Sequence, residues 1–161
     1  MAASENVELI ALLEVRQVVE SYFGAVDRRE WTELHRCFAE DAEMYFGWDP
    51  EKGVASEMVV GADAIVSAIR QVEVFPTSIH ALAHTRIDVV GELARVDTTA
   101  TAVLEDLRTP DEPILRVRGL RYRDEMARSP SGWCIASRRH TPLWELDAPS
   151  VPLMPIPATV E

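Results

Sequence analysis

Cysteine is scarce in this chain: Cys37 and Cys134 are the only two, far apart, and neither begins a CxxC pair. That distribution argues against a disulfide scaffold and suits free thiols in a reducing cytoplasm. Basic residues are also few. Sixteen Lys and Arg face 27 Asp and Glu, giving a net charge of −11. A sequence-independent phosphate binder needs a basic face, so nucleic acid and anionic membrane surfaces are poor partners. No apolar run approaches the roughly 20 residues that span a bilayer. The opening MAASENVELIALLEVRQ carries acids without an early basic cluster, unlike a secretory leader. HExxH, GxSxG and a Gly-rich phosphate loop are missing, so no zinc, serine-nucleophile or phosphate-loop signature stands out. The expectation is one cytoplasmic domain of 161 residues with a single core, using neither metal nor cofactor.

What is present divides into helices first and strands after. From Ser4 to Phe23 the apolar residues Val7, Ile10, Leu13, Val18, Tyr22 and Phe23 recur at helical spacing, with Ser4 as N-cap and Gly24 as stop. A second helix is expected from about Arg28 to Phe38, with Trp31, Leu34 and Phe38 on one side. AEMYFGW reads as a strand, Gly53 as a loop, and Gly61–Val72 as a third helix. After Pro76 come four long runs rich in Val, Ile and Thr: SIHALAHTRIDVV, ARVDTTATAVLEDL, ILRVRGLRYRDEM and GWCIASRRHTPLW. Gly91-Glu92, Thr109-Pro110-Asp111 and Ser129-Pro130-Ser131-Gly132 separate them as turns. This is an α+β pattern, with helices on one face of a curved mixed or antiparallel sheet. The domain is taken as 1–146, followed by a tail, 147–161, that holds four of the ten prolines and is expected to be extended.

A curved sheet facing helices leaves a conical hollow, so the inward polar side chains matter most. Strict alternation puts His80, Leu82, His84 and Arg86 on one face of the first long strand. The two histidines would then lie ~13 Å apart, too far to share a metal. Asp27 has two readings. With Glu30 three residues on, it fits a capping box, the reading the residues alone favour; it could also aim its carboxylate into the cone and orient an imidazole there. The arginines Arg116, Arg118, Arg121 and Arg123, like Glu40-Asp41, read as solvated or interface surface. In Arg138-Arg139-His140 one member of each alternating pair must face the helices, and a buried arginine there needs an acid or an anionic ligand.

The order of elements, the segment YFGAVDRREWTELHRCFAEDA and the strand GWCIASRR resemble the SnoaL-like branch of the nuclear transport factor 2-like superfamily. The resemblance covers nearly the whole chain and implies a cone-shaped fold with three N-terminal helices. At the informative positions it looks closest to scytalone dehydratase and hexachlorocyclohexane dehydrochlorinase, which use an Asp–His pair in the cone. VDRREW places Asp27, and IHALAHTR places His80, at the matching positions. Other positions depart from the pattern. Val26 and Phe46 stand where the dehydratase has tyrosines, Thr99 or Ala100 where it has a second histidine, and Arg118 near its asparagine. Tyr22 stands where the dehydrochlorinase has a lysine.

The resemblance therefore implies a cofactor-free lyase of dehydratase type, with His80 as base and Asp27 orienting it. An imidazole, with an ordinary pKa of roughly 6.5, suits proton transfer near neutrality. Tyr22, Tyr45, Trp48 and Arg118 are the expected substrate contacts, on a small hydrophobic or polyketide-derived substrate. Two alternatives stay open: a polyketide cyclase or double-bond isomerase working through Asp27, and a non-catalytic binding or assembly module. A homodimer or homotrimer through the sheet is expected in any of the three.

Overall fold

The computed structural model describes residues 2–108 and 113–150. The Thr109-Pro110-Asp111 turn and the tail beyond residue 150 lie outside the described residues. Helix α1 (Ala2–Arg28) is followed by α2 (Trp31–Arg36), β1 (Phe38–Phe46), β2 (Glu57–Val60), α3 (Ala62–Ile69) and a 3₁₀ turn (Arg70–Val74). Four long strands then complete the chain: β3 (Ser78–Val90), β4 (Leu93–Asp106), β5 (Ile114–Ser129) and β6 (Gly132–Pro149). Their boundaries fall at the turns read from sequence, where Gly91 (φ +61°) and Gly132 (φ +119°) take up backbone that a side chain resists. β6 carries Asp147–Pro149 within its ladder, pairing them with the start of β5.

The strands form one curved, mixed sheet in the order β2-β1-β6-β5-β4-β3. All neighbours are antiparallel except β1 and β6, which run parallel. β4 shows the period of two most clearly: Ala94, Val96, Thr98, Ala100, Ala102 and Leu104 are buried while the residues between them are not. Helix α1 closes that face, resting on β3 and β6. No helix among the described residues is long and apolar enough to cross a membrane.

Helix α1 differs from its expected form at both ends. Ser4 lies inside it rather than capping it, and the helix runs through Gly24 to Arg28. The buried stripe is Ala11, Val15, Val19, Tyr22, Phe23 and Val26, whereas Val7, Ile10 and Leu13 are exposed. Spacings of three to five fit two neighbouring stripes, and the sheet covers only one of them. The helix stops because Arg29 turns left-handed, at φ +61°. An arginine there costs on the order of 1 kcal/mol of backbone strain. Its guanidinium offsets that by donating to the carbonyls of Val26 and Phe75 and to the Ser78 hydroxyl, clamping the helix end to β3. The second helix is shorter than expected, since Phe38 already opens β1.

Candidate active site

The Arg29 clamp fixes Asp27 opposite the first residues of β3. Asp27 does not cap the next helix: it sits in the last turn of α1, and Glu30, at the N-cap of α2, makes no side-chain capping bond. Its carboxylate instead accepts three hydrogen bonds. Oδ1 takes the His80 Nδ1–H at 2.7 Å and the Ser78 hydroxyl at 3.0 Å; Oδ2 takes the His80 backbone N–H at 2.8 Å. The pair is sheltered, with side-chain exposures of 21% for Asp27 and 9% for His80. Burial works to raise the Asp27 carboxyl, but the His80 and Ser78 hydrogen bonds outweigh it and hold it below its ordinary value. An ionised Asp27 accepting from Nδ1 places the imidazole proton there and leaves the Nε2 lone pair free.

A β-bulge decides which β3 residues join this pair. Ala83 has no partner on β4, between the pairs Leu82–Ala100 and His84–Thr99. The extra residue flips the alternation. His80 and Leu82 face the helices, then Thr85, Ile87 and Val89, so His84 and Arg86 point to the outer face, contrary to strict alternation. His84 meets Thr99 there, and Arg86 meets Asp88.

Along the inner face, His80 pairs in register with Ala102, Ala102 with Arg118, and Arg118 with Glu145. Two strand spacings separate His80 from Arg118, roughly 10 Å, and the short Ala102 lies between them. Arg118 is ion-paired to Glu145. Phe23 from α1 stands beside the histidine, its ring 5.5 Å from His80 and 5.1 Å from Tyr122. Tyr122 in turn lies 5.3 Å from His140.

Behind this wall sits a buried ion pair. Arg138 donates through Nε and Nη2 to Asp124 at 2.8 and 2.7 Å, and both side chains have 0% exposure. The guanidinium lies 3.9 Å from the centre of the Tyr22 ring and 4.9 Å from that of Tyr122. Burial disfavours the Arg138 charge, yet Asp124 more than compensates and its pKa is raised. Burial also pushes both tyrosine hydroxyls above their ordinary value, so they stay protonated. The expected acid partner of a buried arginine is thus Asp124. Alternation along Leu120, Tyr122, Asp124 and Met126, all buried, was the signal that could have found it.

Among the expected contacts, Asp27 and His80 meet, Arg118 shares their face, and Tyr22 lies deep beneath the Arg138 guanidinium. Tyr45 and Trp48 do not join them. They stand on the opposite face of the sheet around Arg139, whose guanidinium is 5.4 and 5.3 Å from their rings. His140, Asp124, Ser78 and Arg29 are the site residues sequence reasoning missed. No group of three His, Cys, Asp or Glu side chains among the described residues could hold a metal.

A curved mixed sheet of six strands with helices packed on one face is the nuclear transport factor 2-like fold. A family model for the SnoaL-like domain matches residues 7–139, and the chain belongs to that family. Similar solved structures include a scytalone dehydratase-like protein of Novosphingobium aromaticivorans, at 19% identity and TM-score 0.73, covering 99% of this chain and 100% of that one. A hexachlorocyclohexane dehydrochlorinase, LinA type 2, is 13% identical with TM-score 0.71, covering 98% and 100%. An NTF2-like protein with a cystatin-like fold, also from Novosphingobium aromaticivorans, is 20% identical with TM-score 0.70, covering 88% of each. At these identities the likeness concerns the fold. Comparison with curated proteins gives no match.

Proposed function

We propose that the protein is a cofactor-free lyase of the dehydratase type, acting on a small hydrophobic or polyketide-derived molecule. The observation that carries this reading is the 2.7 Å contact between His80 Nδ1 and an Asp27 carboxylate that also accepts from Ser78 and the His80 backbone. A carboxylate held below its ordinary value in this way orients an imidazole and is itself a weak base. His80 Nε2 takes the proton from a carbon next to an activating carbonyl. The C–H pair becomes the new C=C bond, and the hydroxyl on the neighbouring carbon leaves with its C–O pair. The imidazolium, paired with Asp27, returns its proton to that hydroxyl, which departs as water, and the enzyme is restored. Positioned acid–base catalysis supplies about 10²–10⁴-fold, and orientation in the sheltered face must add the rest. Arg118, on the same face as His80, is the substrate contact in this reading, while Tyr22 lies too deep to reach the substrate. The protein is taken as cytoplasmic, with Cys37 and Cys134 buried free thiols. It is taken as a homodimer or homotrimer joined through the outer sheet face, where Tyr45 and Trp48 stack.

The test is a panel of small β-hydroxy ketones and esters, followed by loss of substrate and appearance of the conjugated product. The expected result is turnover by the wild-type protein that His80→Ala abolishes. Retained turnover in that variant rejects His80 as base. If Asp27→Asn loses far more than His80→Ala, the isomerase or cyclase reading replaces it. A fully folded protein inert across the panel favours the binding module.

A further inference from the structure

His140 projects from β6 on the same face as Arg138, and the mechanism above leaves it without a task. Its ring is packed between Phe46 (6.1 Å) and Tyr122 (5.3 Å). Its Nδ1 is sealed from solvent with no hydrogen-bond partner, a condition its Nε2 does not share. A buried polar atom without a partner is costly, and the cost is smaller for a lone pair beside cations than for an N–H with no acceptor. The cations in electrostatic reach are Arg138 on its own strand and Arg118 on β5, and His80 of β3 lies within the same reach. Other ionisable groups on the neighbouring elements include Tyr22 and Asp27 of α1, Tyr122 and Asp124 of β5, and Glu145, which pairs with Arg118. Burial, then Arg138 and Arg118, push the imidazole down to about 4, so it is neutral at pH 7. The lone pair therefore belongs on Nδ1 and the proton on Nε2.

We propose that His140 Nε2–H is a hydrogen-bond donor of the active site, holding the oxygen of a carbonyl substrate while His80 removes the neighbouring proton. This rests on the elimination reading and narrows it to substrates that carry an acceptor oxygen beside the acidic carbon. Abstraction at that carbon moves charge onto the oxygen, and a fixed neutral donor meets that charge without first surrendering a proton of its own. Val26 and Phe46 offer no such donor, and Phe46 packs directly on the His140 ring. His80 and His140 thus divide the work: one imidazole has its lone pair free because Asp27 holds its proton, the other has its N–H free because its sealed Nδ1 has no acceptor to give a proton to.

The test uses para-nitrophenolate as a stable mimic of the enolate oxygen, with dissociation constants for wild type, His140→Leu and His140→Gln. His140→Leu is expected to weaken binding roughly 10- to 100-fold, the loss of one hydrogen bond to a charged acceptor. His140→Gln, which returns an amide N–H near the Nε2 position, should recover most of it. Histidine NMR on the wild-type protein should show the proton on Nε2 and its signal moving on binding. Equal affinity for wild type and His140→Leu, no binding by wild type, or a proton on Nδ1 overturns the proposal. If His140→Leu does not fold, the Gln variant and the NMR signal decide. His80→Ala separates the two readings, because it removes the base and leaves the oxygen contact. Turnover that survives His80→Ala sinks the elimination reading, while phenolate binding that ignores His140 sinks only this one.

Discussion

Replacing Asp27 by asparagine preserves size and removes only the charge, yet the hydrogen bonds around it dictate where the new amide nitrogen can go. Oδ2 faces the His80 backbone N–H at 2.8 Å, a donor that cannot reverse. Oδ1 faces the Ser78 hydroxyl and His80 Nδ1, and both of those can become acceptors. The amide nitrogen therefore settles at the Oδ1 position, and His80 must turn its Nδ1 lone pair toward it. That moves the ring proton to Nε2 and abolishes the base. Loss of the correct tautomer in a Ser-His-Asp triad lowers kcat by about 10⁴. We expect Asp27→Asn to lower kcat/KM by roughly 10³–10⁴, about 4–5.5 kcal/mol of transition-state stabilisation. KM should move little, and the unfolding midpoint should fall only slightly: Ser78, which already accepts from Arg29, accepts from the amide as well, and its own O–H alone loses its acceptor. Steady-state kinetics on a turned-over β-hydroxy ketone, with histidine NMR for the tautomer, reads both effects. Activity within tenfold of wild type, or a proton still on Nδ1, would refute the reasoning.

The buried pair makes a stability prediction. Asp124→Ala strands Arg138 without its acid and should cost about 3–5 kcal/mol in urea unfolding, whereas the double change Asp124→Leu with Arg138→Met should cost less. A double variant weaker than the single one contradicts this account. Stability should also fall in acid. With His140 lowered to about 4, the unfolded chain binds a proton that the folded one refuses between roughly pH 6.5 and that value. Stability is then full above the free-imidazole range and drops by on the order of 3 kcal/mol on approaching pH 4. Asp27, held below its ordinary value, adds a loss of the same sign at still lower pH. His140→Leu should flatten the imidazole part; an unchanged profile in that variant would assign the acid loss elsewhere.

The strands were legible because β4, β5 and β6 are long enough for period-two patterns to stand out, and glycine turns separate them. The pairing of Asp27 with His80 was legible through the resemblance alone; the residues by themselves favoured a cap. What escaped depends on irregularity. The bulge at Ala83 inverts the alternation that placed His84 and Arg86 inward, and no local residue announces it. Gly24 looked like a stop, but burial of Ala25 and Val26 carries α1 onward, and an arginine held by the Val26 carbonyl and two distant acceptors ends it. Tyr45 and Trp48 were expected among the substrate contacts, which requires them to face inward. Their register beside Arg139 puts them outside.

The central claim is that one imidazole removes a carbon-bound proton. It is tested most directly with a substrate deuterated at that carbon, comparing wild-type protein with His80→Ala whose fold is verified by circular dichroism. A primary isotope effect on kcat/KM in the wild type, with no turnover by the variant, is the expected result. Turnover by His80→Ala at the wild-type rate, with the same isotope effect, would contradict it.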